Sequence, residues 1–226
     1  ALGKIMRFTG TYDQDQLLDE SLPITWRHIN KLAGCGALGD LGSHLLSISQ
    51  FIMGDITKVN AVATTVFPKR PKAAGSTEMA DVENEDIMTF MAEYANGAIG
   101  QIACSRVATG RKNYLCYEIQ GTKGSVRYDL ERMGEVQVYF QSDNERDRGF
   151  RTVLLNPLMK GYSAFQPAGG ISIAYNDMKI LEVHALFDAI TNGADYVTDF
   201  EFGYKIDRTV AAVIESSKTH EWVDVK

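Results

Sequence analysis

Ile87-Met-Thr-Phe-Met-Ala-Glu-Tyr94, then Ala-Asn96-Gly97, then Ala98-Ile-Gly-Gln-Ile-Ala-Cys-Ser105 carries the strongest indication of the fold in this 226-residue chain. Two runs rich in apolar and aromatic residues flank Asn-Gly, the dipeptide that best accommodates the tight reversal between antiparallel strands. Working outward, residues 3–13 read as a strand, as does Ile56–Phe67 with its valines and threonines. Downstream, Tyr114–Ile119 and Ser125–Leu130 flank a Gly-Thr-Lys-Gly turn. Val136–Gln141 and Arg151–Leu155 add two short strands around the charged loop Ser142–Gly149. Connections of hairpin length predict a largely antiparallel sheet.

Helical spacing appears near the two ends. Leu41, Leu45, Ile48 and Ile52 recur at intervals of three and four, and Gly54 follows where such a helix would stop. Met178, Ile180, Leu181, His184, Phe187 and Ile190 form a second periodic run that ends at Asn192-Gly193. Thr198, with Glu201 three residues on, fits a capping box opening a third helix to about Ser217. Leu17–Asn30 reads as a polar connection, Pro68–Val82 as an exposed loop and Trp222–Val225 as a closing strand. The class is α+β: an open-faced, predominantly antiparallel β-sheet with helices on one face. Ile87, Met88, Phe90 and Met91 occupy both alternations of one strand. The face without helices is therefore expected to form a homo-oligomer interface, or else to lie under loops.

Composition bounds the function. With 45% hydrophobic and 23% charged residues, the chain can bury a core without staples. A net charge of −6 with no long basic run argues against a nucleic-acid partner. No apolar run approaches the roughly 18–20 residues that cross a bilayer, and Ala1–Phe8 lacks the apolar run of a signal peptide. Cys35, Cys104 and Cys116 are odd in number with no C-x-x-C pair. His28, His44, His184 and His220 show no metal-ligand spacing, so no metal is expected. The expectation is a cytoplasmic protein in which residues 1–226 form one domain, the C-terminal part of a longer one.

The chemistry concentrates in Gly34-Cys-Gly36-Ala-Leu-Gly39-Asp40-Leu-Gly-Ser-His44. Gly34, Gly36 and Gly39 match a dinucleotide fingerprint, with Asp55 at a suitable distance. Two features oppose that reading. His28–Ala33 is half polar, not a buried strand, and Asp40 puts negative charge in the helical turn where pyrophosphate would sit. No cofactor-binding residue is therefore expected in this chain. Asp40 and His44, four residues apart, share one helical face. The helix dipole favours the carboxylate, and an imidazole suits proton transfer near neutral pH. Spacing alone equally allows a helix-favouring acid and a histidine satisfied in the core.

The string Gly36-Ala-Leu-Gly-Asp40-Leu-Gly-Ser-His44 resembles the G-A-L-x-D-x-G-x-H signature of the glucose–fructose oxidoreductase / inositol dehydrogenase / MocA (Gfo/Idh/MocA) family. The likeness extends through Trp26-Arg27, Asn96-Gly-Ala, Ser105-Arg106, Gly110-Arg-Lys-Asn113, Glu118–Ser125, Tyr175-Asn-Asp177 and Trp222-Val. The resemblance implies an N-terminal Rossmann domain, absent here, followed by a dihydrodipicolinate-reductase-like C-terminal domain. It implies NAD or NADP as cofactor of the full-length protein and a sugar or polyol substrate. It makes His44 the catalytic acid/base and Asp40 the residue that orients the substrate. The family's lysine, in a Glu-Lys-Pro motif, has no counterpart in this chain, so the isolated chain is expected to be inactive. An aspartate that commonly follows the histidine by three residues is Ser47 here. A non-catalytic carbohydrate-binding or assembly module is the alternative.

Further candidates surround that pair. Arg27 suits polyol hydroxyls while Trp26 stacks on a sugar face; a buried stacking pair is the other reading. Tyr12 and Gln14, ending the first strand, are substrate-binding candidates, with plain strand residues the favoured alternative. Arg111, Lys112 and Asn113 read as a solvated turn more than as substrate contacts, Tyr162–Gln166 as a lid or partner-facing loop, and His184 as a core or capping residue more than a ligand.

Overall fold

In chain order the elements are β1 (Ile5–Asp13), α1 (Asn30–Ala33), α2 (Ser43–Met53), β2 (Ile56–Thr64), β3 (Lys69–Pro71) and β4 (Met79–Asp81). They continue with β5 (Ile87–Tyr94), β6 (Ile99–Ser105), β7 (Tyr114–Gly121), β8 (Gly124–Asp129), β9 (Glu135–Phe140) and β10 (Arg151–Leu154). α3 (Tyr175–Asn192), α4 (Phe200–Thr219) and β11 (Val223–Asp224) close the chain. This is a computed structural model that describes residues 1–159 and 161–226. Nine strands form one sheet in the order β10-β9-β8-β7-β1-β6-β5-β2-β11. Every neighbouring pair is antiparallel except β1 with β6, because β1 inserts between two strands that follow each other in sequence.

The Asn96-Gly97 turn forms as a hairpin, but not as a two-residue loop. Tyr94 N–H bonds to the Ala98 carbonyl, Gly97 N–H bonds to the Tyr94 carbonyl, and Gly97 has φ +81° while Asn96 has no positive φ. That is a type I turn followed by a left-handed glycine bulge. The Asn96 amide is thereby turned outward to donate to the Met53 carbonyl at 2.8 Å, tying the hairpin to the end of α2.

Alternation then separates the faces. On β5, Met88, Phe90, Ala92 and Tyr94 are buried; on β6, Gly100, Ile102 and Cys104; on β1, Phe8, Gly10 and Tyr12. This face meets Leu45, Leu46 and Met53 of α2 and Ile206, Ala212 and Val213 of α4 to make the core. The opposite face leaves Val62, Met91, Ile99 and Trp222 exposed. The third long helix does not join the helical layer: α3 has no buried residue, and Ile180, Val183, Leu186, Phe187 and Ile190 all face outward.

The segment expected as an exposed loop, 68–82, instead carries the β3–β4 hairpin and a fully buried Arg70. Its guanidinium donates to the carbonyls of Asp19 and Leu17, pinning the 17–30 connection against the sheet. Beside it, Arg106 pairs with Asp86 at 3.3 Å, the side chains 2% and 1% exposed. Asp86 also accepts from the backbone of Val66 and Phe67, so its charge is satisfied on more than one side. Arg106 reaches the Arg27 carbonyl at 3.5 Å, fixing the base of the Trp26–Arg27 turn.

Candidate active site

The C-terminal end of β1 and the N-terminal end of the α2 segment meet at the rim of the helical face. A wide π turn, Leu38–Gly42, precedes α2. Insertions of this kind recur where a helix must present side chains for function. The amides ahead of it are already satisfied. The Glu85 carboxylate accepts from Gly36 N–H and Leu38 N–H, each at 2.9 Å, and the Glu85 carbonyl accepts from Ala37 N–H. A Cβ on Gly36 would lie 1.9 Å from the Glu85 carbonyl oxygen, so glycine is required for this close approach. The glycine run therefore packs against Glu85, and it is Glu85, more than Asp40, that takes the place of a phosphate.

Asp40 stands one turn further on, half exposed. Its Oδ2 lies 3.5 Å from Arg27 Nε, both side chains 45% exposed. The Arg27 guanidinium also lies 4.6 Å from the centre of the Trp26 ring, and Trp26 is 53% exposed. Trp26, Arg27 and Asp40 thus form a stacked, charged edge open to solvent, not a buried pair. His44 is exposed on the same side of the helix. Its ring meets the ring of Tyr12 edge-on, with centroids 5.8 Å apart.

Tyr12 is only 8% exposed. Its hydroxyl donates to Asn113 Oδ1 at 2.6 Å, and Gln14 Nε2 donates to the same oxygen at 2.8 Å. Burial pushes the Tyr12 hydroxyl pKa up. The contact with Gln14 pulls it back, and the Asp40 carboxylate pushes it up again. The phenol is therefore neutral throughout the physiological range. Tyr175, exposed at the first residue of α3, is a further neighbour that bears on Tyr12.

Of the six residues expected at the site, Tyr12, Gln14 and His44 touch one another in one group and Trp26, Arg27 and Asp40 in a second, and no hydrogen bond joins Asp40 to His44. Sequence reasoning missed three others. Asn113, read as part of a solvated turn, bridges Tyr12 and Gln14, while Lys112 and Arg111 beside it pair outward with Asp15 and Glu131. Glu85 and Tyr175 come from distant segments; Tyr175 stands in a family-like string, and Glu85 carries no local signal. His184 is exposed on α3, not in the core. Of Tyr162–Gln166, Ser163 and Ala164 are exposed, while Gln166 is buried and donates to the Ser172 carbonyl.

Cysteine chemistry is not indicated, since burial raises the Cys35 thiol to about 11 and raises Cys104 as well. Among the described residues no group of three or more His, Cys, Asp or Glu is placed to hold a metal ion, and no helix is long and apolar enough to cross a membrane. What the rim offers is a solvent-accessible imidazole for proton transfer, a carboxylate, a guanidinium, two amides, a phenol and an indole face. Such a set suits a ligand dense in hydroxyl groups. None of these side chains carries hydride.

Comparison with known proteins agrees with the geometry. Residues 1–127 match the family model of the GFO/IDH/MocA C-terminal domain. The levoglucosan dehydrogenase of Pseudarthrobacter phenanthrenivorans is 38% identical over 236 residues, covering 100% of this chain and 60% of its own length. A structure of levoglucosan dehydrogenase with NADH and L-sorbose superposes with a TM-score of 0.95 at 38% identity, again over 100% of this chain and 60% of that one. An NAD-binding oxidoreductase from Klebsiella pneumoniae gives 0.95 at 39% identity with the same coverage. This chain spans about 60% of the relatives it matches. Helix signature, matched span and superposition agree: the chain belongs to the Gfo/Idh/MocA family, and its residues 1–127 match that family's C-terminal domain.

Proposed function

We propose that residues 1–226 are the substrate-binding and catalytic domain of an NAD(P)-dependent oxidoreductase. It acts on a secondary alcohol, or the corresponding ketone, of a sugar or cyclitol. The observation that carries this reading is His44 and Asp40 exposed on one side of the π-turn and α2 segment, framed by the Tyr12–Gln14–Asn113 cluster. His44 takes the proton of the substrate hydroxyl during oxidation and returns it during reduction. Asp40 accepts from neighbouring hydroxyls, Arg27 and Trp26 bracket the ring, and Tyr12 and Gln14 hydrogen-bond its edge. When bound by the rest of the protein, the nicotinamide supplies hydride exchange. No residue here is assigned to it, because the glycine-rich helix start at Gly34–Gly39 is closed by Glu85. A lysine from the nucleotide-binding part assists proton transfer.

Two exposed surfaces support a longer, assembled protein, which we assign to the cytoplasm. The apolar stripe of α3 starts at Tyr175, beside the site, and we assign it to contact with a nucleotide-binding domain. The relatives' length beyond this chain, about two fifths, leaves room for one. The open sheet face around Val62, Met91 and Ile99 is assigned to a second copy of the chain. In the full-length protein, His44→Ala should lower turnover of an accepted sugar by roughly 10²–10⁴-fold, the usual size of an acid/base contribution. Turnover within a few-fold of wild type would sink the assignment.

A further inference from the structure

We infer that Asn113 is a positioning residue that locks the Tyr12 hydroxyl as a hydrogen-bond acceptor toward the substrate. The inference rests on the sugar-oxidoreductase reading only for what occupies the cleft. The geometry assigns the protons in two steps. Gln14 Nε2 donates to Asn113 Oδ1 at 2.8 Å, so the Asn113 side chain turns its carbonyl oxygen to the pair. That oxygen can only accept, so Tyr12, 2.6 Å away, must give it the single phenolic proton. Both Tyr12 lone pairs are then left to accept. One faces Gln14 Nε2 at 3.5 Å, too long for a strong bond. The other has no partner among the described residues, and the His44 ring stands edge-on to the Tyr12 ring.

Asn113 is itself held from outside the cleft. Its backbone N–H and that of Lys112 donate to Glu131 Oε1 at 3.1 and 3.0 Å, and these two bonds depress the Glu131 carboxyl pKa. The turn is therefore an anchored acceptor, and the phenol cannot rotate without losing a short bond. A substrate hydroxyl lying against Tyr12 must donate. This is a specificity rule: the site reads a hydroxyl proton there, not merely polarity.

The test uses the full-length enzyme with a sugar it oxidises, levoglucosan taken first, and the deoxy and deoxyfluoro derivatives at each non-reacting hydroxyl. Effects are read in KM, because fluorine also withdraws electrons from the reacting carbon and so lowers kcat. At one position both derivatives should raise KM roughly tenfold or more, since neither can donate. Asn113→Leu frees the phenol to turn and donate, so the fluoro derivative should recover relative to the deoxy one. Asn113→Asp, which still only accepts, should keep the wild-type pattern. A fluoro derivative that binds like the parent while its deoxy partner fails at that position would overturn the rule. So would an Asn113→Leu enzyme with an unchanged profile. Neutron diffraction from crystals of the full-length protein reads the Tyr12 deuteron directly. It should lie between Oη and Asn113, and a deuteron directed into the cleft refutes the assignment whatever reaction the protein catalyses.

Discussion

His28 is fully buried, and its Nδ1 accepts from Thr25 N–H at 3.0 Å, which places the ring proton of the neutral form on Nε2. Burial lowers its pKa, and the nearby charges of Arg106 and Arg70 lower it further against the smaller opposing effect of Asp86. The unfolded chain takes up this proton near pH 6.5, whereas the folded chain resists it. Below that pH the unfolded state holds more protons, so the stability contributed by neutral His28 is complete above about pH 6.5. It is lost as pH falls through the folded pKa. Thermal unfolding should therefore be flat from about pH 8 to 7 and decline toward pH 5, with His28→Gln flattening that decline. An identical slope in the variant would show that other groups carry it. None of this was visible in the string Thr25-Trp-Arg-His28, where the histidine looked like part of a polar connection. Arg70 and Arg106, distant in sequence, create its environment. Asp40 and His44 are the contrasting case, because helical spacing alone put them on one face.

At the level of elements, periodicity placed the helices well and their ends less well. Thr198 and Glu201 satisfy the pattern of a capping box, yet α4 is capped one residue later, by Asp199 Oδ1 accepting from Phe202 N–H at 2.8 Å. A carboxylate at that position both bonds the free amide and meets the positive end of the helix dipole, which a threonine hydroxyl cannot match. Asp199→Ala should cost about 1 kcal/mol in chemical denaturation, while Thr198→Ala should stay within a few tenths. The reverse ranking would restore the threonine cap. α3 similarly opens three residues before its periodic run, at Tyr175, where Asp177 Oδ2 accepts from Ala174 N–H at 2.8 Å. Its apolar spacing announced a helix correctly. Spacing does not reveal whether an apolar stripe meets this domain's own core or another surface.

Across the whole molecule, the open sheet face divides. Val62, Met91, Ile99 and Trp222 give it an apolar end, while Arg7, bonded to Gln101 at 3.0 Å, and Glu118, bonded to Gln120, give it a polar one. A self-complementary contact between two copies can pair such ends. Light scattering of the full-length protein should show an oligomer, and Met91→Glu combined with Ile99→Lys should shift it toward monomer. A wild-type protein that is monomeric at every concentration would rule out this use of the face. By itself the sequence determined the α+β class, the antiparallel hairpins and the shared helical face of Asp40 and His44. All three depend on residues near one another in the chain, through turn chemistry and side-chain period. Only the tertiary structure decided that Glu85 closes the glycine-rich helix start, that Asn113 governs Tyr12, and that β1 lies parallel to β6. Those outcomes depend on contacts between segments some fifty to a hundred residues apart, which no local spacing encodes.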